Sequence, residues 1–317
     1  MMKDKLPIRI DDRISLIDGF DMDIPSRTGT YVINEPELTL VEIGPSPSVK
    51  YIKKGLEELG HTLLDVKYII VTHVHLDHAG GAGLMLTSCP NAKLIVHPRG
   101  ARHLVDPRKL AAGARAIYGD SFSEIYDPII PVPEDRVIIK TEGDTLEIGP
   151  NCTLEFWDTP GHAKHHIGIY DPVSNGIFTG DTVGILYERL LKDGVEFYLP
   201  STTPNHFNPS DMHAAIRRVF EKDVDRIYFG HFGMTENPKE ALKQTAEWLD
   251  VFIDIAEDVI VVEGGDYNEI ARRIMKRVKA YLKEQGIPED HEIYIIINLD
   301  LQISALGIMD YYQKMKQ

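Results

Sequence analysis

Short apolar runs broken by turn residues fill the chain up to about Gly233, and long amphipathic stretches fill the rest. Ile14–Phe20, Thr30–Ile33 and Leu38–Ile43 have strand character, with Asn34-Glu35-Pro36-Glu37 as the turn between the last two. Val49, Ile52, Leu56 and Leu59 recur at helical spacing over Pro47–Gly60. The β-branched run Tyr68-Ile69-Ile70-Val71 predicts a short buried strand. Gly83–Ser88 predicts a helix and Ala92–His97 another strand. Gly100-Ala101-Arg102-His103-Leu104 opens a region, up to about Pro133, that is helical at first and then loop-like. Its Tyr118, Phe122 and Tyr126 make it a candidate lid or pocket wall, although inward packing explains each aromatic at least as well. Strand character returns at Arg136–Lys140, Thr145–Ile148, Cys152–Asp158, Ile167–Tyr170, Gly176–Thr179 and Asp225–Phe229. Pro209–Glu221 predicts a helix with Ser210 or Asp211 available as its cap.

Beyond about Pro238 the period becomes helical. Glu240–Glu257 and Asn268–Gln285 are amphipathic helices separated by Gly264-Gly265. His291–Lys316 is apolar enough to be a packing helix, although Tyr294-Ile295-Ile296-Ile297 has strand propensity. Two runs of strands joined to helices predict an α/β sandwich of αββα type, four layers with helices on both outer faces, plus a C-terminal helical appendage. The expected boundary separates residues 1–237 from 238–317, the latter packing on the former or forming an oligomer surface such as a homodimer interface.

Composition narrows the class. Hydrophobic residues make up 43% of the 317, ample for a packed core, and the net charge of −15 disfavours nucleic acid as a partner. The two cysteines, Cys89 and Cys152, form no C-x-x-C pair, so neither a disulfide framework nor a cysteine zinc site is expected. The N-terminal stretch lacks the apolar core of a signal peptide, and no run approaches the ~20 apolar residues that span a bilayer. The expectation is a cytoplasmic protein with a small-molecule substrate and no membrane partner.

Chemistry concentrates at strand ends. Thr72-His73-Val74-His75-Leu76-Asp77-His78-Ala79-Gly80-Gly81 follows the Tyr68–Val71 strand. His73 and His75, two apart, project to one side of an extended segment. Asp77 and His78 follow where the glycines let the backbone turn. Imidazole and carboxylate form a donor set suited to zinc, iron or manganese. Three more strand ends carry ligand-type residues, at Gly161-His162, Gly180-Asp181 and Gly230-His231.

The H-x-H-x-D-H stretch, followed in order by a Gly-His loop, a Gly-Asp and a final Gly-His, resembles the metallo-β-lactamase-fold hydrolases. The stretches around His97, His162 and Asp181 look like a little-characterised prokaryotic branch of them. The resemblance implies that His73, His75 and His162 hold one divalent metal, that Asp77, His78 and His231 hold a second, and that Asp181 bridges them. Two such ions, zinc above all, with iron and manganese as alternatives, would share a hydroxide that attacks an ester-type bond. The proton would pass to the leaving group through Asp77 or a metal-bound water.

The neighbouring residues weigh the subfamilies. True β-lactamases of this fold usually carry Cys where Asp181 stands, and flavodiiron enzymes carry Glu in place of His75. Thr182–Arg189 matches poorly the glutathione-binding stretch of glyoxalase II and persulfide dioxygenases. Lactone or carboxylic ester hydrolysis leads, with Tyr187 beside Asp181 as a candidate to polarise the carbonyl, and Tyr198, His206 and Phe207 as candidate pocket residues. Phosphodiester hydrolysis and glyoxalase-II-like thiol metabolism are the alternatives. A metal-binding scaffold without turnover is the non-enzymatic one.

Overall fold

The computed structural model describes residues 6–316. They divide into two compact units, one made of the chain up to Asp158 with His165–Gly180 and Asp225–Met234, the other of Thr159–Lys164, Asp181–Val224 and the chain from Thr235 onward.

The first unit contains two mixed sheets. Strands β1 (Ile8–Arg9), β2 (Ile14–Asp18), β3 (Gly29–Ile33), β4 (Leu38–Val41), β5 (Val66–Ile70), β6 (Lys93–Val96) and β7 (Val137–Ile139) lie in that order. β1 to β4 pair antiparallel, and β4 to β7 parallel. The second sheet runs from β8 (Thr145–Gly149) through β9 (Cys152–Asp158), β10 (Ile167–Asp171) and β11 (Gly176–Gly180) to the strand Arg226–Phe229, which is parallel to β11.

Alternation along each strand explains why these runs are continuously apolar. Val32, Leu40, Ile69, Leu94 and Val96 join an outer core with Val49, Ile52 and Leu56 of α1 (Val49–Glu58), and with residues of the later helices. Their neighbours Tyr31, Ile33, Val41, Ile70 and Ile95 face the other way. They pack with Leu154, Phe156, Ile167, Ile169 and Phe178 of the second sheet. A strand covered on both faces needs apolar residues at every position, as parallel strands usually do.

Helices α2 (Leu76–Ala79) and α3 (Ala82–Ser88) follow β5. Between β6 and β7 the chain forms α4 (Pro98–Val105), α5 (Arg108–Tyr118) and α6 (Phe122–Tyr126). This stretch is therefore more helical than its sequence suggests. Its aromatics pack inward, Phe122 and Tyr126 clustering with Ile125 and Leu76, and Tyr118 against them.

In the second unit a small antiparallel pair, β12 (Ile185–Leu186) and β13 (Tyr198–Leu199), accompanies four helices. These are α7 (Pro209–Lys222), α8 (Pro238–Glu257), α9 (Tyr267–Glu284) and α10 (Ile293–Met315). The cap of α7 is neither Ser210 nor Asp211 but Asn208, whose Oδ1 accepts from the Asp211 amide at 3.0 Å. Pro209 at the first helical position pushes the capping role one residue earlier. Phe197, Trp248 and Tyr281 form an aromatic knot with ring centroids 5.5–5.8 Å apart.

Tyr294–Ile297 belongs to α10 rather than to a strand. Tyr294, Ile297, Leu301 and Ile308 are buried on one helical stripe, and this packing overrides β propensity. The expectation that no run reaches membrane-spanning length needs correction. α10 has 23 residues and a window of mean hydropathy 1.4, long and apolar enough to cross a bilayer, with 44% of that window buried in the protein. Interspersed Asn298, Asp300, Gln302 and Ser304 hide this run from a search for unbroken apolar stretches.

Candidate metal centre

In the first unit His73, His75, Asp77 and His78 follow closely on β5. His75 keeps extended geometry (φ −62°, ψ 149°) and hands over directly to α2, which carries Asp77 and His78. His73 and His78 are buried, whereas Asp77 is 26% exposed. The His73 ring centroid lies 4.5 Å from that of His75 and 4.2 Å from that of His78. Asp77 Oδ2 is 3.7 Å from His78 Nε2 and 3.9 Å from His231 Nε2. Asp77, His78 and His231 thus offer three ligand atoms within 4.8 Å of one another. His166 stacks on His73 at 5.1 Å, and His165 meets His75 edge-on at 5.6 Å. Gly180 is required here, since its φ is +48° and a Cβ would collide with His166 Nε2 and Thr72 Oγ1.

A residue not singled out in the sequence organises this cluster. Glu42, immediately after β4, is buried and held at φ +63°, a region costly for any residue with a Cβ. Its Oε1 accepts from the Thr72 amide at 3.2 Å and from the Thr72 hydroxyl. With its proton given to Glu42, Thr72 Oγ1 can only accept from His73 Nδ1, 3.1 Å away. Glu42 Oε2 lies 3.5 Å from His78 Nδ1. Through Thr72, Glu42 therefore directs the His73 imidazole to carry its proton on Nδ1 and present Nε2 as a lone pair, the arrangement that outer carboxylates impose on metal-binding histidines. The only sequence signal was an acid closing an apolar strand.

Tyr31 fixes the loop that bears His231. Its buried hydroxyl, kept protonated by burial, reaches the Phe229 carbonyl at 2.9 Å and the Gly233 carbonyl at 2.5 Å. Tyr31→Phe leaves both carbonyls short of a donor. The expected loss is about 1–3 kcal/mol of stability by urea unfolding, with m unchanged.

Asp21 and Arg27, in the loop between β2 and β3, were also not foreseen. They pair at 3.3 Å, and both are largely buried. Burial pushes the Asp21 carboxyl up to about 6, against the pull of Arg27, while Asp77, His231 and His78 lie within its electrostatic reach. Tyr118 and Tyr126 are raised chiefly by burial and next by the charge of Asp77.

The second unit holds His162 and Asp181. His162 is fully buried and Asp181 nearly so, and His162 Nε2 lies 3.7 Å from Asp181 Oδ2. His162 Nδ1 is 2.8 Å from the Ser201 carbonyl, which can only accept, so Nδ1 carries the proton and Nε2 is the lone pair. Ser201 Oγ donates to Asp181 Oδ2 at 3.1 Å. Tyr187 is buried, and its hydroxyl donates to Asp300 Oδ2 of α10 at 3.1 Å. Tyr198 gives its hydroxyl to Glu196, and Phe207 meets Tyr311 edge-on.

The donor chemistry fits divalent metal ions. Buried imidazoles with their tautomers set by outer acceptors, together with carboxylates, are costly to bury without a cation. Thiols play no such part. Cys89 and Cys152 are free and buried, and burial pushes them up to about 11 and about 12.

Comparison with known proteins agrees with this chemistry. The Metallo-beta-lactamase superfamily profile matches residues 26–231. The metallo-beta-lactamase fold-containing protein ST1585 of Sulfurisphaera tokodaii is 26% identical over 263 residues, 80% of this chain and 89% of that protein. The crystal structure of ST1585 superposes with a TM-score of 0.64 at 20% identity, covering 95% of this chain and 98% of that one. More distant relatives include a hydroxyacylglutathione hydrolase of Legionella pneumophila, 24% identical over 38% of this chain and 35% of its own length. An N-acyl homoserine lactonase of Bacillus thuringiensis is 26% identical over 56% of this chain and 60% of its own length. The His/Asp clusters are those of a metal site typical of the αββα fold. The chain belongs to the metallo-beta-lactamase superfamily.

Proposed function

We propose that the chain is a metal-dependent hydrolase of small carboxylic esters or lactones. In this reading His73, His75 and His162 hold one divalent ion, Asp77, His78 and His231 hold a second, and Asp181 serves both. The observation that carries it is the preset tautomer of His73 and His162, each with Nδ1 directed at an oxygen acceptor and Nε2 left as a ligand. Bound ions of this kind activate water and polarise a substrate carbonyl.

The chain's own residues supply the rest. Asp77, the least buried carboxylate of the set, would pass a proton to the leaving oxygen. Tyr187 holds α10 through the bond of its hydroxyl to Asp300. The lactonase and hydroxyacylglutathione hydrolase relatives favour acyl over phosphoryl transfer. The second of them keeps thioesters as the alternative substrate class.

Metal analysis of the purified protein tests the first half, with two ions per chain expected and fewer than one at neutral pH overturning it. A screen of the zinc- and manganese-loaded protein against lactones, thioesters, phosphodiesters and a β-lactam tests the second. Hydrolysis of lactones or simple esters is expected to exceed the others by at least about tenfold. Silence on all four, with full metal content, would leave a metal-binding scaffold.

A further inference from the structure

The segment Ser201–Asn205 is bonded on two sides. On one side lie the ligand residues of the second unit. The Ser201 carbonyl meets His162 Nδ1, Ser201 Oγ donates to Asp181, and Thr203 Oγ1 donates to the His162 carbonyl at 3.4 Å. On the other side lies α10. Thr202 Oγ1 donates to the Ser304 carbonyl at 2.8 Å, and the Thr202 amide donates to Ser304 Oγ at 3.4 Å. Further along the helix, the Asn205 amide donates to Asp310 Oδ2 at 2.8 Å, and Lys314 Nζ donates to the Asn205 carbonyl at 3.1 Å. Between these bonds the backbones touch. A Cβ at Gly307 would stand 2.6 Å from Thr202 C and O and from Thr203 C.

The geometry points to α10 as a positioning element of the metal centre, setting the places of His162 and Asp181 through the Ser201–Asn205 segment clamped at Ser304, Gly307 and Asp310. This rests on the reading of His162 and Asp181 as metal ligands. It gives the C-terminal helix a function beyond packing. The segment has no regular structure of its own, and neither Ser201 nor Thr202 is exposed to solvent. Its side chains and carbonyls serve the ligands, so its position has to be set from elsewhere. The bonds of α10 alternate with a glycine at the point of closest approach, which ties segment and helix as one rigid piece. A displacement of the helix by a few tenths of an ångström would move the Ser201 carbonyl away from His162 and its hydroxyl away from Asp181. Outer partners of metal ligands commonly govern affinity by 10–100-fold.

Gly307→Ala drives a methyl group into the Thr202 backbone without altering any polar partner. The probe is cobalt(II) alone, added to metal-free full-length protein, read by its visible ligand-field absorption and by competition with a chelator. The expected result is a changed spectrum and affinity weaker by about tenfold or more. Ser201→Ala should change both in the same direction, and Ser201→Thr, which keeps the hydroxyl, should restore the spectrum. Ile293→Ala is the control for mere destabilisation, since it removes a buried side chain of the same helix about 16 Å away along its axis. It should lower Tm and leave the cobalt spectrum unchanged. Where Gly307→Ala fails to fold, the paired variant Thr202→Val with Asp310→Ala, which removes the hydroxyl donor to the Ser304 carbonyl and the acceptor of the Asn205 amide, takes its place with the same readouts. Wild-type spectrum and affinity in the clamp variants would overturn the inference, and so would an equal change in Ile293→Ala. A wild-type protein that takes up no cobalt would instead remove the reading of the ligands themselves.

Discussion

Asp181→Ala is expected to lower hydrolytic activity by on the order of 10³-fold or more and to reduce the metal content of the isolated protein. Asp181 is 2% exposed. Its Oδ2 accepts from the Ser201 hydroxyl at 3.1 Å and lies 3.7 Å from His162 Nε2. A carboxylate in such a place costs several kcal/mol to desolvate. A bound divalent cation would offset that cost. The same arithmetic sets the sign of the stability change. Metal-free Asp181→Ala should melt at or above the temperature of the metal-free parent. The metal-loaded parent should melt higher than either, since a ligand at 100 times its Kd adds about 2.7 kcal/mol. Asp181→Asn keeps an acceptor for Ser201 while removing the charge, and should behave like the alanine variant in metal content. Parental metal content and activity in either variant would contradict the assignment.

Glu42→Gly is expected to weaken metal binding by about 10–100-fold, or roughly 1.4–2.8 kcal/mol, in competition with a chelator. The substitution separates two roles that an alanine would confuse. Glycine accepts the φ of +63° at no steric cost, so the backbone strain of about 1–2 kcal/mol is relieved. What disappears is the carboxylate that orders Thr72, and through it His73, and that faces His78 Nδ1. The fold should be retained while the His73 imidazole loses its fixed tautomer. Should Glu42→Gly hold metal as tightly as the parent, Thr72 and the rings would be self-sufficient and Glu42 a residue of packing alone.

The His/Asp clusters were legible in the sequence because they sit where strands stop. A β-branched run followed by His, Asp and Gly announces both the strand and the change of chemistry at its end. The αββα layering was legible for a related reason, since runs such as Tyr68–Val71 and Leu38–Ile43 are apolar at every position and must be covered on both faces. The outer partners were not legible. Ser201 acts partly through its carbonyl, which every residue possesses, and Glu42 is an ordinary strand-terminal acid until its backbone angle is known. Residues 98–126 were read as partly loop because their helices are short and the apolar positions serve a small local cluster rather than one long stripe. α10 showed strand propensity locally. The burial of Tyr294, Ile297, Leu301 and Ile308 on one stripe decided the matter at a range that no local pattern reports.

The helical insertion between β6 and β7 has an evolutionary consequence. It begins after one parallel strand and ends before the next, so its length and sequence are free of the hydrogen-bonding register that fixes those strands. It also contributes none of the seven proposed ligands. Such a segment can change in length and composition while the strands on either side of it stay in register.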